Sequence, residues 1–152
     1  MNIVNVGYQS TNYYAIDVKG GKLLIDCGWP GTLPQFTKVL RRKGIALSEI
    51  KYLLVTHFHP DHAGLVQELK NHAAKLILPA CQKDFVAPFA EYFKGKSFPY
   101  VEIEQSNNLL LKLEESRKFL GGIGVAGEII HTPGHSEDSV TLILDEGFAF
   151  TG

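Results

Sequence analysis

Apolar and polar positions alternate with a period of two at the start of the chain and then shift to a helical period. Ile3, Val4 and Val6, followed by Tyr13, Tyr14, Ile16 and Val18, lead to the turn Lys19-Gly20-Gly21-Lys22, after which Leu23-Leu24-Ile25-Asp26 resumes the apolar run. Two β-rich runs about a Gly-Gly pair predict a hairpin. Past a Gly/Pro loop, Leu33, Phe36, Val39 and Leu40 fall on one helical stripe. Thr32 stands where that helix would be capped, Gln35 where a capping box would be completed, and Gly44 where the helix would stop. Tyr52-Leu53-Leu54-Val55 and Lys75-Leu76-Ile77-Leu78 read as short buried strands, with a second helical stripe, Leu65, Val66 and Leu69, between them. Phe85, Val86, Phe89, Tyr92 and Phe93 have helical spacing around Pro88, which predicts two short helices or one kinked helix whose aromatic stripe belongs to a core. Leu109 to Leu113 is assigned no type. Strands and helices alternating at this length predict a layered α/β fold, one domain over residues 1–152.

The stretch Ser139 to Gly152 repeats the plan of Asn12 to Gly28: an alternating strand, a charged Gly turn, and an apolar strand running into Gly. A helix and a histidine-rich loop follow the first copy, whereas the second closes the chain. The expectation is therefore of a second half cut short, leaving an edge strand that invites self-association, with a natural C-terminal edge strand as the plain alternative.

Composition adds exclusions. A chain of 152 residues buries roughly 70% of its unfolded surface, enough for a catalytic core. Fifteen Lys+Arg nearly balance 16 Asp+Glu, for a formal charge of -1, so no nucleic-acid or membrane partner is expected. The basic cluster Lys38, Arg41, Arg42 and Lys43 falls at a helix end, where cations complement the carbonyl dipoles. Two cysteines without C-x-x-C spacing, and no leader-like first residues, point to the cytoplasm.

The chemistry concentrates in Thr56-His57-Phe58-His59-Pro60-Asp61-His62-Ala63-Gly64. In an extended chain residues two apart point the same way, so His57 and His59 project together while Phe58 turns into the fold. Pro60 stiffens the loop and leaves Asp61 and His62 to face the same pocket from the next turn. Imidazoles and a carboxylate are the ligands zinc takes when no thiolate is offered. The plain alternative is a run of solvent-exposed histidines. In Ile129-Ile130-His131-Thr132-Pro133-Gly134-His135-Ser136, the Pro-Gly turn lets His135 reach back as a third nitrogen. His131, within the strand-like run, reads as a hydrogen-bonded core histidine, and His72, at a helix end, as a surface residue or dipole partner. Asp26 is either a turn residue or an acceptor that orients a ligand histidine. Cys27 reads as packing.

Together, "THFHPDHAG", "HTPGHSEDS" and "LIDCG" resemble the metallo-β-lactamase superfamily, with its H-x-H-x-D-H signature, over residues 1–152 in the family's order. The resemblance implies an αββα sandwich with its site at one edge of the two sheets. It implies that His57, His59 and His135 hold one metal while Asp61 and His62 supply part of a second. It also implies an aspartate after the strand that Phe148-Ala149-Phe150-Thr151-Gly152 resembles, and a histidine much later; neither is in this sequence. One tightly held ion is thus expected, zinc first, with iron or manganese as alternatives, and a second site that is incomplete.

The function expected is that of a metal-dependent hydrolase. Zinc lowers the pKa of a bound water to about 7, yielding hydroxide, and polarises the oxygen under attack. Asp61 is the catalytic carboxylate that orients the water and passes its proton to the leaving group. The small-molecule substrate could be a thioester, as in glyoxalase II, or an ester, lactone, β-lactam or phosphodiester, and the motif does not choose among them. The rival expectations are a catalytically silent metal-binding remnant and an iron-loaded redox relative.

Overall fold

The expected hairpin forms in the computed structural model, which describes residues 1–152: Gly20 takes the positive φ of the turn at 81°, and β2 (Tyr14–Val18) pairs antiparallel with β3 (Gly21–Ile25). β1 (Ile3–Asn5) adds outside β2. On the other side of β3, β4 (Ile50–Leu54), β5 (Lys75–Pro79) and β6 (Leu109–Leu111) follow in parallel, giving one six-stranded sheet in the order β1-β2-β3-β4-β5-β6. A second, antiparallel sheet holds β7 (Gly127–His131), β8 (Val140–Leu144) and β9 (Ala149–Phe150). The unassigned leucines are thus an edge strand, with Leu110 57% exposed where no strand lies beyond it.

The continuous apolar runs have a simple cause. Alternate residues of β3, β4 and β5 enter two different cores, so both faces are buried. Leu24, Leu53, Val55, Leu76 and Leu78 pack against helices, with Phe36, Leu40, Val66, Leu69 and Phe89 among their partners. Leu23, Ile25, Leu54 and Ile77 pack against Ile129, Val140, Leu142, Leu144 and Phe150 of the second sheet. The helices covering the larger sheet are α1 (Leu33–Arg42), α3 (Val66–Asn71), preceded by the single turn α2 (Pro60–Ala63), and α4 (Val86–Phe93). α5 (Ser116–Gly122) lies along the free edge of β7, where the Ser116 hydroxyl accepts from the Ile129 amide at 3.1 Å and donates to the Ile129 carbonyl at 3.4 Å. The layers follow the αββα sandwich expected from the resemblance. No helix is long and apolar enough to cross a membrane.

Two local expectations are corrected. Thr32 occupies the N-cap position of α1 but makes no capping bond. Its hydroxyl donates to the Trp29 carbonyl at 2.6 Å and lies 2.5 Å from the Tyr8 hydroxyl, so it is engaged away from the Gln35 amide and no capping box forms. At the other end Gly44, at φ 73°, stops the helix as expected. In the aromatic segment a 3-10 turn over Ala80–Phe85 precedes α4, and Pro88 sits within the first turn of α4, where the missing donor costs nothing and no kink results.

Candidate metal centre

The site forms where β3 and β4 end and the β7–β8 connection passes over them. β4 releases its last apolar residues into Thr56 and His57, which are buried, and the chain then turns into α2 with His59 at its N-cap position and Pro60 opening the helix. The i, i+2 parity puts the His57 and His59 rings 4.4 Å apart, centroid to centroid, while Phe58 packs inward against Phe89. His135 comes in from the second sheet, and its Nε2 lies 3.1 Å from His59 Nδ1. One nitrogen from each of His57, His59 and His135 falls within 4.8 Å of the others.

The tautomer of His57 follows from its surroundings. The Thr56 hydroxyl donates its one proton to Asp26 Oδ2 at 2.8 Å, so at 3.1 Å it accepts from His57 Nδ1–H. That leaves the lone pair on Nε2, which is buried and has no partner. Burial, reinforced by its histidine neighbours, lowers the His57 pKa to about 4, and His59 is lowered by the same causes. Three imidazoles, one with an orphaned lone pair, form a donor set suited to a divalent ion. The 3.1 Å His59–His135 separation is near the roughly 3.3 Å edge of a tetrahedron of nitrogens about 2.0 to 2.1 Å from its centre.

Asp61 and His62 lie beside this cluster as a pair: His62 Nε2 is 3.4 Å from Asp61 Oδ2, and the His57 and His62 rings are 4.2 Å apart. Thr11 donates to Asp61 Oδ2 at 3.1 Å, and the Tyr13 hydroxyl donates to the Asp61 carbonyl at 2.9 Å. A cleft of about 670 Å³ opens on this side, with Thr11, Asn12, Tyr14, Asp61, His62 and Phe150 in its wall. Asp26 anchors both halves of the site. Its φ of 60° is in the left-handed region that Asp tolerates better than most residues. Oδ1 accepts the Thr56 amide at 2.6 Å, and Oδ2 takes both the Thr56 hydroxyl and His62 Nδ1, each at 2.8 Å. Burial disfavours charge on His62, but Asp26 and Asp61 outweigh it, and its pKa lies above the usual histidine value. Burial pushes the Asp26 carboxyl up, against the bonds from His62 and Thr56.

The other sequence candidates are placed as follows. Asp26 is the acceptor that orients His62. Cys27 is fully buried, its thiol held well above the ordinary range by burial, and serves as packing. His72 is exposed at the end of α3. His131 is hydrogen-bonded, to the Glu137 carbonyl at 2.7 Å, but it is exposed rather than in the core, because β7 reaches its open end there. Asp138 and Gln82 escaped the sequence reading although both are almost wholly buried at the site. A polar residue just before an apolar strand was the one available signal for Asp138; Gln82 had none.

The chain resembles known proteins along nearly its whole length. The profile of the Metallo-beta-lactamase superfamily matches residues 6–152. The chain is 29% identical over 147 residues to Beta-lactamase-like protein 2 homolog of Drosophila melanogaster, covering 95% of this chain and 46% of that protein. It is 29% identical over 146 residues to an Atrochrysone carboxyl ACP thioesterase of Aspergillus fumigatus, covering 95% of this chain and 29% of that one. The fold superposes on the native FEZ-1 metallo-beta-lactamase of Legionella gormanii with a TM-score of 0.76 at 23% identity, over 99% of this chain and 59% of the other. The chain thus spans less than half of either relative, and the last likeness is one of fold.

Proposed function

The chain belongs to the metallo-beta-lactamase superfamily, and from that premise we propose that it is a metal-dependent hydrolase of acyl compounds: a thioester, ester or lactone. One observation carries the reading. His57 Nε2 is buried without a partner beside two further imidazoles, an arrangement that costs free energy unless a cation takes the lone pair. Held by His57, His59 and His135, a divalent ion, zinc by its preference for imidazole, would supply Lewis acidity and bring the pKa of a coordinated water to about 7.

The chain's own residues do the rest. Thr56 and Asp26 keep His57 in the tautomer that presents Nε2. Asp61, partly exposed to the cleft and steadied by the Thr11 hydroxyl, is the general base that takes a proton from the attacking water and passes it to the leaving group. The aromatic edges of Tyr14 and Phe150 in the same cleft suit an acyl group. Relatives named as thioesterases put thioesters first among the candidates.

The test is turnover of a thioester, ester and lactone panel by chelator-treated protein before and after zinc is restored. Hydrolysis that appears only with zinc supports the reading. A protein that retains zinc through dialysis and hydrolyses none of the panel would instead be a silent metal-binding domain.

A further inference from the structure

The three nitrogens come from two loops on different sheets. His57 and His59 follow β4 of the larger sheet, while His135 stands between β7 and β8 of the smaller one, beside the Pro133-Gly134 turn. Backbone pairing does little to fix their separation: Val140 donates to the Thr56 carbonyl at 2.8 Å, but Val140 is five residues beyond His135. A side chain spans the gap instead. Asp138 Oδ2 accepts the amide of Phe58, the residue between His57 and His59, at 2.8 Å. Its Oδ1 accepts the hydroxyl of Ser136, the neighbour of His135, at 2.7 Å. The Asp138 carbonyl accepts from Gln82 Nε2 at 3.1 Å, and the same Nε2 lies 3.1 Å from the carbonyls of Val55 and Thr56, the two residues before His57.

Asp138 is 3% exposed and Gln82 fully buried, so these bonds form away from competing water. No lysine or arginine pairs with the Asp138 carboxylate.

We propose that Asp138, seated by Gln82, is a positioning residue: it holds His135 at a set distance from His57 and His59 and thereby tunes how tightly this site takes a divalent ion. The inference rests on the metal reading above, and its test separates the two. Three variants of the full chain are compared with the wild type: Asp138→Ala, which removes both arms; Asp138→Asn, which keeps an acceptor for Phe58 but loses the charge; and Ser136→Ala, which removes one arm.

In metal-free protein, amide exchange at Phe58 should quicken about tenfold or more in Asp138→Ala and stay near the wild-type rate in Asp138→Asn. With cobalt(II) as probe, Asp138→Ala should weaken binding roughly 10- to 100-fold, the range seen when partners behind metal ligands are removed, and should shift the visible absorption. Asp138→Asn and Ser136→Ala should fall between this and the wild type. Unchanged Phe58 exchange in Asp138→Ala overturns the proposal. So does faster exchange with unchanged cobalt affinity and spectrum, because the residue would then be merely structural. If Asp138→Ala does not fold, Ser136→Ala matching the wild type in both readouts overturns it. A wild type that takes up no cobalt refutes the metal reading instead, while Phe58 exchange in metal-free protein still judges the link.

Discussion

His57 and His62 both follow β4, and their rings are 4.2 Å apart, yet their surroundings shift their pKa values in opposite directions. His57 is held neutral by burial among other imidazoles, with its pKa lowered to about 4, whereas His62 is pushed above the usual value by Asp26 and Asp61 despite its own burial. Both answer to one carboxylate oxygen. Asp26 Oδ2 bonds His62 directly and reaches His57 only through the Thr56 hydroxyl. A direct carboxylate contact raises a histidine's pKa, while an interposed hydroxyl merely fixes its tautomer and leaves a lone pair for an ion.

The most severe way to break this contrast is to remove its common origin. Asp26→Ala should leave His62 without its partner in the interior and also strain a left-handed backbone position, costing on the order of 3–5 kcal/mol in denaturant unfolding. Next come the two halves taken singly. His59→Ala should abolish tight metal retention after dialysis, whereas Asp61→Asn should keep the ion and lose roughly 10²-fold or more in any hydrolysis; equal metal loss would make Asp61 a ligand of the same ion.

The opposed pKa shifts give opposed pH responses in metal-free protein. His57, whose folded pKa is depressed, binds its proton more readily when unfolded, so its share of stability is present above the usual histidine value and declines as pH falls from there toward 4. His62, whose folded pKa is raised, stabilises below the usual value and loses that share as pH rises through its folded pKa. His57→Gln should flatten the acid decline, a term of at most about 1.4 kcal/mol per pH unit, as measured by unfolding at pH 4 to 7. The smallest effect is expected at Asp61: Thr11→Val removes one hydroxyl from it and should cost about 0.5–1.5 kcal/mol of transition-state stabilisation, read as a few-fold loss in kcat/KM with metal content unchanged.

Local patterns in the sequence accounted for whatever depended on neighbours in the chain. The pairing of His57 with His59 follows from strand parity, and the double burial of Leu53-Leu54-Val55 follows from an unbroken apolar run. Contacts between distant segments left no such trace. Phe58 and Asp138 are 80 residues apart, and neither residue type announces the bond. Thr32 satisfied a capping pattern, but the pattern does not encode the Trp29 carbonyl that takes its hydroxyl. Leu109–Leu111 escaped assignment because an edge strand of three residues, paired on one side, is too short to display a period. His131 was placed inside because it continues an apolar run, which says nothing of where the sheet ends.

The alternation of β4 between two cores also imposes a phase on everything downstream. Each residue inserted or deleted between Lys51 and Val55 would turn His57 from one side of the sheet to the other, and no adjustment of the loop could recover both the buried leucines and the imidazole at once. A two-residue change restores the parity but moves the whole motif by one strand repeat, about 6 to 7 Å, far more than a three-nitrogen site tolerates. This strand therefore behaves as a reading frame: substitutions within it are graded in their effect, while changes in its length are all or none.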